Sequence, residues 1–266
     1  MPAARLDVQE KIKELEANGQ FDQHLNPIDY DIILPIEKFS YIKKGFERIK
    51  IFFQNTFIVK PFTLRLNKKV TKTIVLGREN LKGIKSAVVT CNHIFMYDCL
   101  VAKYGLRGHK LRITAAEFNN RKGFLGEMMR AGGLMPFSSK YEDMKRFNRA
   151  FEYLLKKNYY ILFYPEQAMW YMYDKPRPYK NGAFHYAVKH NVPIIPMFIT
   201  FRNSGKFDEN GMEDKYFTLH IMEPIYPKKE LDNKENIEYM KNRNYEMCCN
   251  KYFEVYGKKV EYNTKD

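Results

Sequence analysis

The chain has 266 residues, 45% of them hydrophobic and 15% aromatic, which supports one sizeable buried core and excludes a disordered chain. Its formal net charge of +14 points to a polyanionic partner: nucleic acid, an anionic membrane or a phosphorylated small molecule. No apolar run approaches the roughly 18 residues that span a bilayer. The charged start "MPAARLDVQEKIKELEANG" lacks a secretory segment, and the four cysteines (Cys91, Cys99, Cys248, Cys249) make neither a disulfide framework nor a spaced zinc site, so a reducing cytoplasm is expected.

Residues 5 to 18 read as a charged helix ending at Gly19, followed to about residue 35 by an irregular stretch containing Pro27 and Pro35. Next, Phe39, Ile42, Phe46, Ile49 and Phe53 recur at spacings of three and four, which predicts one apolar helical face. From Lys38 to Lys72 ten Lys or Arg stand against one acid, Glu47. An aromatic face with basic flanks suits a helix lying on anionic lipid; the competing reading is a helix docked on its own core with solvated lysines.

After about residue 70 short apolar strands alternate with helical stretches. Strands are predicted at Thr73–Leu76, Ala87–Cys91, Leu111–Thr114, Tyr160–Tyr164, Ile194–Phe201 and Phe217–Met222. Helices are predicted at Asp98–Tyr104, Lys122–Arg130, Tyr141–Lys157 and Gly182–Lys189. The third carries Met144, Phe147, Phe151 and Leu154 on one stripe, and Ser139-x-x-Glu142 before it reads as a capping box. This alternation predicts an α/β fold: a single, largely parallel sheet covered by helices on both faces. The last 35 or so residues read as helical. Three segments are expected: a membrane-associating N-terminal segment (1–68), the α/β domain (69–225) and a C-terminal helical extension (226–266).

The strand Ala87–Cys91 runs into Asn92 and His93, with Asp98 five positions after the histidine. His-x4-Asp is weak alone, because His24 and Asp29 share the spacing within "HLNPID". Context separates them: His24 lies in a proline-containing loop, whereas His93 occupies a strand-to-helix turn, where open α/β sheets bind ligands. On a regular helix these two residues would point about 140° apart. With His93 in the turn and Asp98 in the first helical turn, the carboxylate can reach the imidazole and fix its tautomer. A core histidine capped by a nearby acid is the alternative.

A second strand end, "YYILFYPEQAMW", carries Glu166, and "KPRPYKNGAF" follows with Lys175, Arg177 and Lys180 leading to Gly182, a setting that suits a phosphate or oxyanion or else a solvated loop. None of the five serines stands in Gly-x-Ser-x-Gly. Cys91 reads as a buried apolar group, and a zinc site from Cys91, His93 and Cys99 has no further support. What remains is a histidine base without a protein nucleophile, which fits activation of a substrate hydroxyl for attack on an acyl group.

These residues resemble the lysophosphatidic acid (1-acylglycerol-3-phosphate) acyltransferase family. Its Asn-His-x4-Asp block is matched by Asn92, His93 and Asp98. Of its Phe-Pro-Glu-Gly-Thr-Arg block, "YPEQAM" keeps Pro165 and Glu166, and its Val-Pro-Ile-x-Pro block is matched by Val192 to Pro196. The lead-in Phe-Lys-x-Gly-Ala-Phe is matched by Lys180, Gly182, Ala183 and Phe184. The blocks fall in family order over about residues 70 to 225.

The resemblance implies the glycerolipid acyltransferase fold and transfer of a fatty acyl chain from acyl-CoA or acyl carrier protein to a lysophospholipid-like hydroxyl. It makes His93 the base and Asp98 its orienting carboxylate, needs no metal or other cofactor, and places the protein peripherally on the inner face of the cell membrane. Backbone amides or Lys180 are expected to meet the oxyanion. Asn92, Glu166, Gln167, Lys180, Lys140 and Arg177 are the candidate substrate-binding residues.

The departures mark a divergent, bacterial-type member. The arginine ending the second block is Ser139, and in the third block Gln167 and Met169 replace the glycine and arginine. Both phosphate arginines are therefore missing, and a bidentate guanidinium is not replaced by serine or methionine. Either Lys140, Lys175, Arg177 or Lys180 supplies the charge, or the acceptor is another lysolipid or a glycolipid. Trp170 and Tyr171 are placed either on an acyl chain or sugar, or in the core. A catalytically inactive membrane-docking protein on the same fold is the rival reading. Nucleic acid is not an expected partner, since no recognition motif is present.

Overall fold

The computed structural model describes residues 3–25, 32–209 and 211–264; Pro27 and Asp29 lie outside the described residues. In chain order the elements are α1 (Ala3–Ala17), α2 (Gly45–Gln54), α3 (Lys60–Arg65), β1 (Ile74–Leu76), β2 (Ala87–Thr90), α4 (Asp98–Gly105), β3 (Lys110–Ala116), α5 (Gly123–Gly132), β4 (Leu134–Phe137), α6 (Tyr141–Lys156), β5 (Tyr159–Phe163), α7 (Gly182–Lys189), β6 (Ile194–Phe207), β7 (Glu213–Ile221) and α8 (Asn233–Tyr256).

The strands form one seven-stranded sheet in the order β1-β7-β6-β2-β5-β3-β4. All neighbours are parallel except the β6–β7 pair. Side chains alternate between two cores, as a sheet buried on both faces requires. Val88, Ile161 and Ile194 face α6, α7 and α8, while Ala87, Val89, Tyr160, Leu162 and Ile195 face α4. Because β2 lies between β5 and β6 with Thr90 opposite Phe163 and Pro196, the residues that follow β2 and β5 emerge side by side. That register builds the site.

Three expectations from the sequence are corrected. The strand β4 was not foreseen: it is only four residues long and contains Pro136, which an edge strand tolerates and a central strand does not. The Ser139–Glu142 capping box is not formed. The helix begins one residue later, so Lys140 is the cap residue without a side-chain cap bond, and its backbone N–H donates to Ser138 Oγ. The single stripe from Phe39 to Phe53 is split in two. Lys44 is extended and Gly45 takes φ +50°, a left-handed conformation open to glycine, so α2 starts only at Gly45. Phe39 is buried against α6 with Ile42 packed beside it, whereas Phe46 is 80% exposed, and Ile49 and Phe53 are exposed as well.

From Gly45 the helix continues through two wider, π-type turns, Asn55–Val59 and Leu66–Val70, on either side of α3. Phe52, Phe57, Ile58, Phe62 and Leu64 are also exposed along it. Its other side packs on α4: Val59 and Leu66 share a cluster with Leu100, and Asn67 Nδ2 donates to the Leu100 carbonyl. Lys50 and Gln54 hold Glu127 of α5, which exposes Phe124 and Leu125. Among the described residues no helix is long and apolar enough to cross a membrane.

Candidate active site

His93 stands in the turn between β2 and α4, and Asp98 opens α4. Asn92 clamps this turn to β6: its Nδ2 donates to the Ile199 carbonyl at 2.9 Å, and its Oδ1 accepts from the Ile199 N–H at 2.8 Å. Both amide functions are consumed and Asn92 is buried, so it builds the turn rather than facing a ligand.

The imidazole Nδ1 lies 2.7 Å from Asp98 Oδ2. That oxygen also accepts the N–H groups of Ile94 at 3.0 Å and Phe95 at 3.3 Å, and Oδ1 accepts the Tyr164 hydroxyl at 2.6 Å. With three other donors already pointing at it, the Asp98 carboxyl serves as an acceptor, which assigns the proton between it and the histidine to Nδ1. The lone pair is therefore on Nε2, the atom a base needs. The side chain of Asp98 is 1% exposed and that of His93 is 24% exposed, so the carboxylate is sealed while the ring meets solvent. Tyr164 lies under the ring with centroids 4.0 Å apart and planes 17° apart.

Glu166 belongs to the same strand-end cluster but does different work. Its Oε2 accepts the His93 backbone N–H at 3.1 Å and Arg177 Nη2 at 2.8 Å, and its Oε1 accepts the Arg177 N–H at 3.0 Å. Arg177 also donates to the carbonyls of Phe21, His93 and Ala168, and its guanidinium lies 4.7 Å from the Trp170 ring. Both side chains of this pair are fully buried. Glu166 and Arg177, listed by sequence with the substrate-binding groups, thus hold the main chain of His93 in place and present nothing to a ligand. Trp170 is equally buried, packed with Ile12, Leu15 and Leu25 on α1 and its following segment.

The remaining candidates scatter. Lys180 pairs with Asp22 at 2.7 Å and Lys140 with Glu37 at 3.0 Å, both half-exposed or more; Lys175 pairs with Glu16 at 2.6 Å. Gln167 is exposed and takes φ +67°, the left-handed conformation for which the resembled motif has glycine. Sequence reading missed Tyr164, whose partner lies 66 positions away. It also treated His24 only as a chance spacing match. His24 and His93 are close enough that the charge of His93, after burial itself, holds the His24 imidazole below its ordinary pKa. Neither cysteine beside the site is a ready nucleophile: burial raises the Cys91 thiol well above its usual value and pushes Cys99 up to about 12.

Residues 72–200 match the family model described as Acyltransferase. No curated protein matches the sequence. Among solved structures, the 1-acyl-sn-glycerophosphate (LPA) acyltransferase PlsC from Thermotoga maritima is similar, with a TM-score of 0.52 and 17% identity over 81% of this chain and 91% of that one; this likeness carries the fold. The chain therefore carries an acyltransferase-type domain over residues 72–200. The resemblance to the lysophosphatidic acid acyltransferases thus rests on this domain and on a shared fold.

Proposed function

We propose that the protein transfers a fatty acyl group from a thioester, acyl-CoA or acyl carrier protein, to the hydroxyl of a lysophospholipid-like acceptor. The observation that carries this reading is a partly exposed imidazole held through Nδ1 by a sealed carboxylate at the β2 end, which leaves Nε2 for the substrate. Nε2 takes the hydroxyl proton as the oxygen attacks the thioester carbonyl. Asp98 stabilises the imidazolium that forms. On collapse the C–S bond breaks, and the thiolate takes the proton back from Nε2 and leaves as a free thiol. No acyl-enzyme is needed, consistent with the raised Cys91 and Cys99 thiols.

The acceptor follows from the cations. Each of the four candidates to replace the missing phosphate arginines already has a carboxylate partner: Lys140–Glu37, Lys175–Glu16, Arg177–Glu166 and Lys180–Asp22. This favours an acceptor without a phosphomonoester, such as a phosphodiester lysolipid or a glycolipid. The exposed aromatic ridge of α2 and α3, with Lys44 at the cap of α2 and Arg48 on it, supports peripheral docking on the anionic inner face of the cell membrane. Phe62 touches Tyr97, next to Asp98, which joins that ridge to the site.

Thiol release from acyl-CoA with a panel of lysolipids tests both parts. His93→Ala should slow release by roughly a hundredfold to ten-thousandfold with folding intact. Release from no donor and acceptor pair would end the enzyme reading in favour of a membrane-docking protein. Lysophosphatidate as the best acceptor would end the acceptor assignment alone.

A further inference from the structure

Tyr164 makes two contacts that the proposed reaction has not used. Its hydroxyl donates to Asp98 Oδ1, and its ring stacks beneath His93. Among the described residues the Asp98 carboxylate is otherwise bonded through Oδ2, to His93 and to two backbone N–H groups, which leaves Oδ1 to Tyr164. We propose that Tyr164 is a positioning residue: it fixes how much negative charge Asp98 presents to the imidazole, and so sets the pH at which His93 begins to act as a base. This rests on the reading of His93 as the base.

A donor to a carboxylate disperses its charge, and a weaker anion stabilises an imidazolium less. Held this way, Asp98 stabilises the imidazolium less than an unshared carboxylate would, which favours the neutral ring that a base needs. The ring beneath acts in the opposite sense, since an aromatic face attracts the imidazolium. The hydroxyl keeps its proton: burial first, then the neighbouring Asp98 charge, hold the phenol well above its ordinary value. Tyr164 is therefore a donor whenever Asp98 is ionised.

The other charged or titratable groups around His93 act elsewhere. Glu166 and Arg177 hold its backbone N–H and carbonyl, respectively, and are paired with each other. His24 approaches from the segment after α1 and feels the His93 charge without a hydrogen bond to it. Cys91, buried, and Cys99, partly buried, lie near Tyr164 as thiols whose protons desolvation holds in place. Among the described residues, only Tyr164 and His93 bring side-chain donors to the carboxylate of Asp98.

Two variants at this position move the system in opposite directions while keeping the stacked ring. Tyr164→Phe removes the donor, and 3-fluorotyrosine placed at 164 alone makes it stronger. The readout is the His93 titration midpoint, followed by NMR of histidine-labelled protein and assigned by its loss in His93→Gln. The midpoint should rise by about half a unit to one unit in Tyr164→Phe and fall in the fluorinated protein, with the acid limb of kcat/KM for thiol release moving in step. A midpoint unmoved in both, or moved in the same direction by both, overturns the assignment and leaves Tyr164 as packing. If Tyr164→Phe does not fold, the fluorinated protein decides by the sign of its shift. Failure of the base reading shows separately, as thiol release that survives His93→Gln.

Discussion

Two acidic residues stand at neighbouring strand ends, both almost wholly buried, and they end in opposite circumstances. Asp98 is bonded to a ring that reaches solvent, while Glu166 is bonded to a backbone N–H and to a guanidinium that does not. Burial therefore does not separate a group that serves chemistry from one that serves structure. The separation lies in where the chain of hydrogen bonds ends: the first ends on the partly exposed ring of His93, and the second ends inside the protein on the carbonyls of Phe21, Ala168 and His93, with even the unpaired Arg177 Nε sealed from solvent. The second pair supports the first, because it holds both the N–H and the C=O of His93, the residue proposed as the base.

The largest effect that can break this contrast is at Arg177. Arg177→Met strips a fully buried carboxylate of its counter-charge, which should cost about 3–5 kcal/mol in denaturant unfolding. At a temperature where the variant remains folded, the acceptor KM should stay close to that of the parent protein. Unchanged stability with a sharply raised KM would mean that the guanidinium touches substrate, and the two carboxylates would no longer differ in kind.

How much of this was legible in the sequence depends on the range of the interaction. The turn carrying His93 and Asp98 is local: a β-branched run, a break and a helix start fall within a dozen residues, and geometry needs nothing further to bring the two together. The central strands β2, β5 and β6 were legible because burial on both faces writes an uninterrupted apolar run. The roles of Asn92, Tyr164 and Arg177 were not. Asn92 bonds a residue 107 positions away, Tyr164 one 66 away, and Arg177 reaches back 156 positions to Phe21. In "KPRPYK" three cations look alike, and a fully buried arginine is the least expected outcome for any of them. The break at Gly45 was hidden for another reason: the three-four spacing persists across it, although one half faces the core and the other faces out.

That break supplies the next test, because the same contrast of closed and open contacts applies to apolar side chains. Phe39 lies inside the α6 cluster, and Phe46 and Phe53 lie outside any cluster. Phe39→Ser should destabilise by about 3–5 kcal/mol without a specific effect on lipid binding. The double variant Phe46→Ser, Phe53→Ser should leave stability within about 0.5 kcal/mol and weaken retention on anionic liposomes by about tenfold or more. If the double variant unfolds as readily as Phe39→Ser, the α2 ridge belongs to a packed interface, and docking on lipid loses its support.

The smallest expected effect concerns Lys180, the cation that the resemblance places nearest the chemistry. Its ammonium is half-exposed and already held by Asp22, whose carboxyl the lysine hydrogen bond keeps below the usual range. An exposed pair of this kind is worth little to stability and is screened by salt. If the pair is only a surface contact, Lys180→Met should change the acceptor KM by less than about twofold for every lysolipid tested, at low and moderate salt alike. If the ammonium leaves Asp22 to meet a phosphate or the oxyanion, the two parameters separate: a phosphate contact raises KM for phosphorylated acceptors only, whereas an oxyanion contact lowers kcat for all of them. Asp22→Asn sharpens the result, since freeing the ammonium should then improve the same parameter that Lys180→Met damages. Equal, small responses to both substitutions would place Lys180 with Glu166 and Arg177, among the charges whose partners are already chosen within the fold.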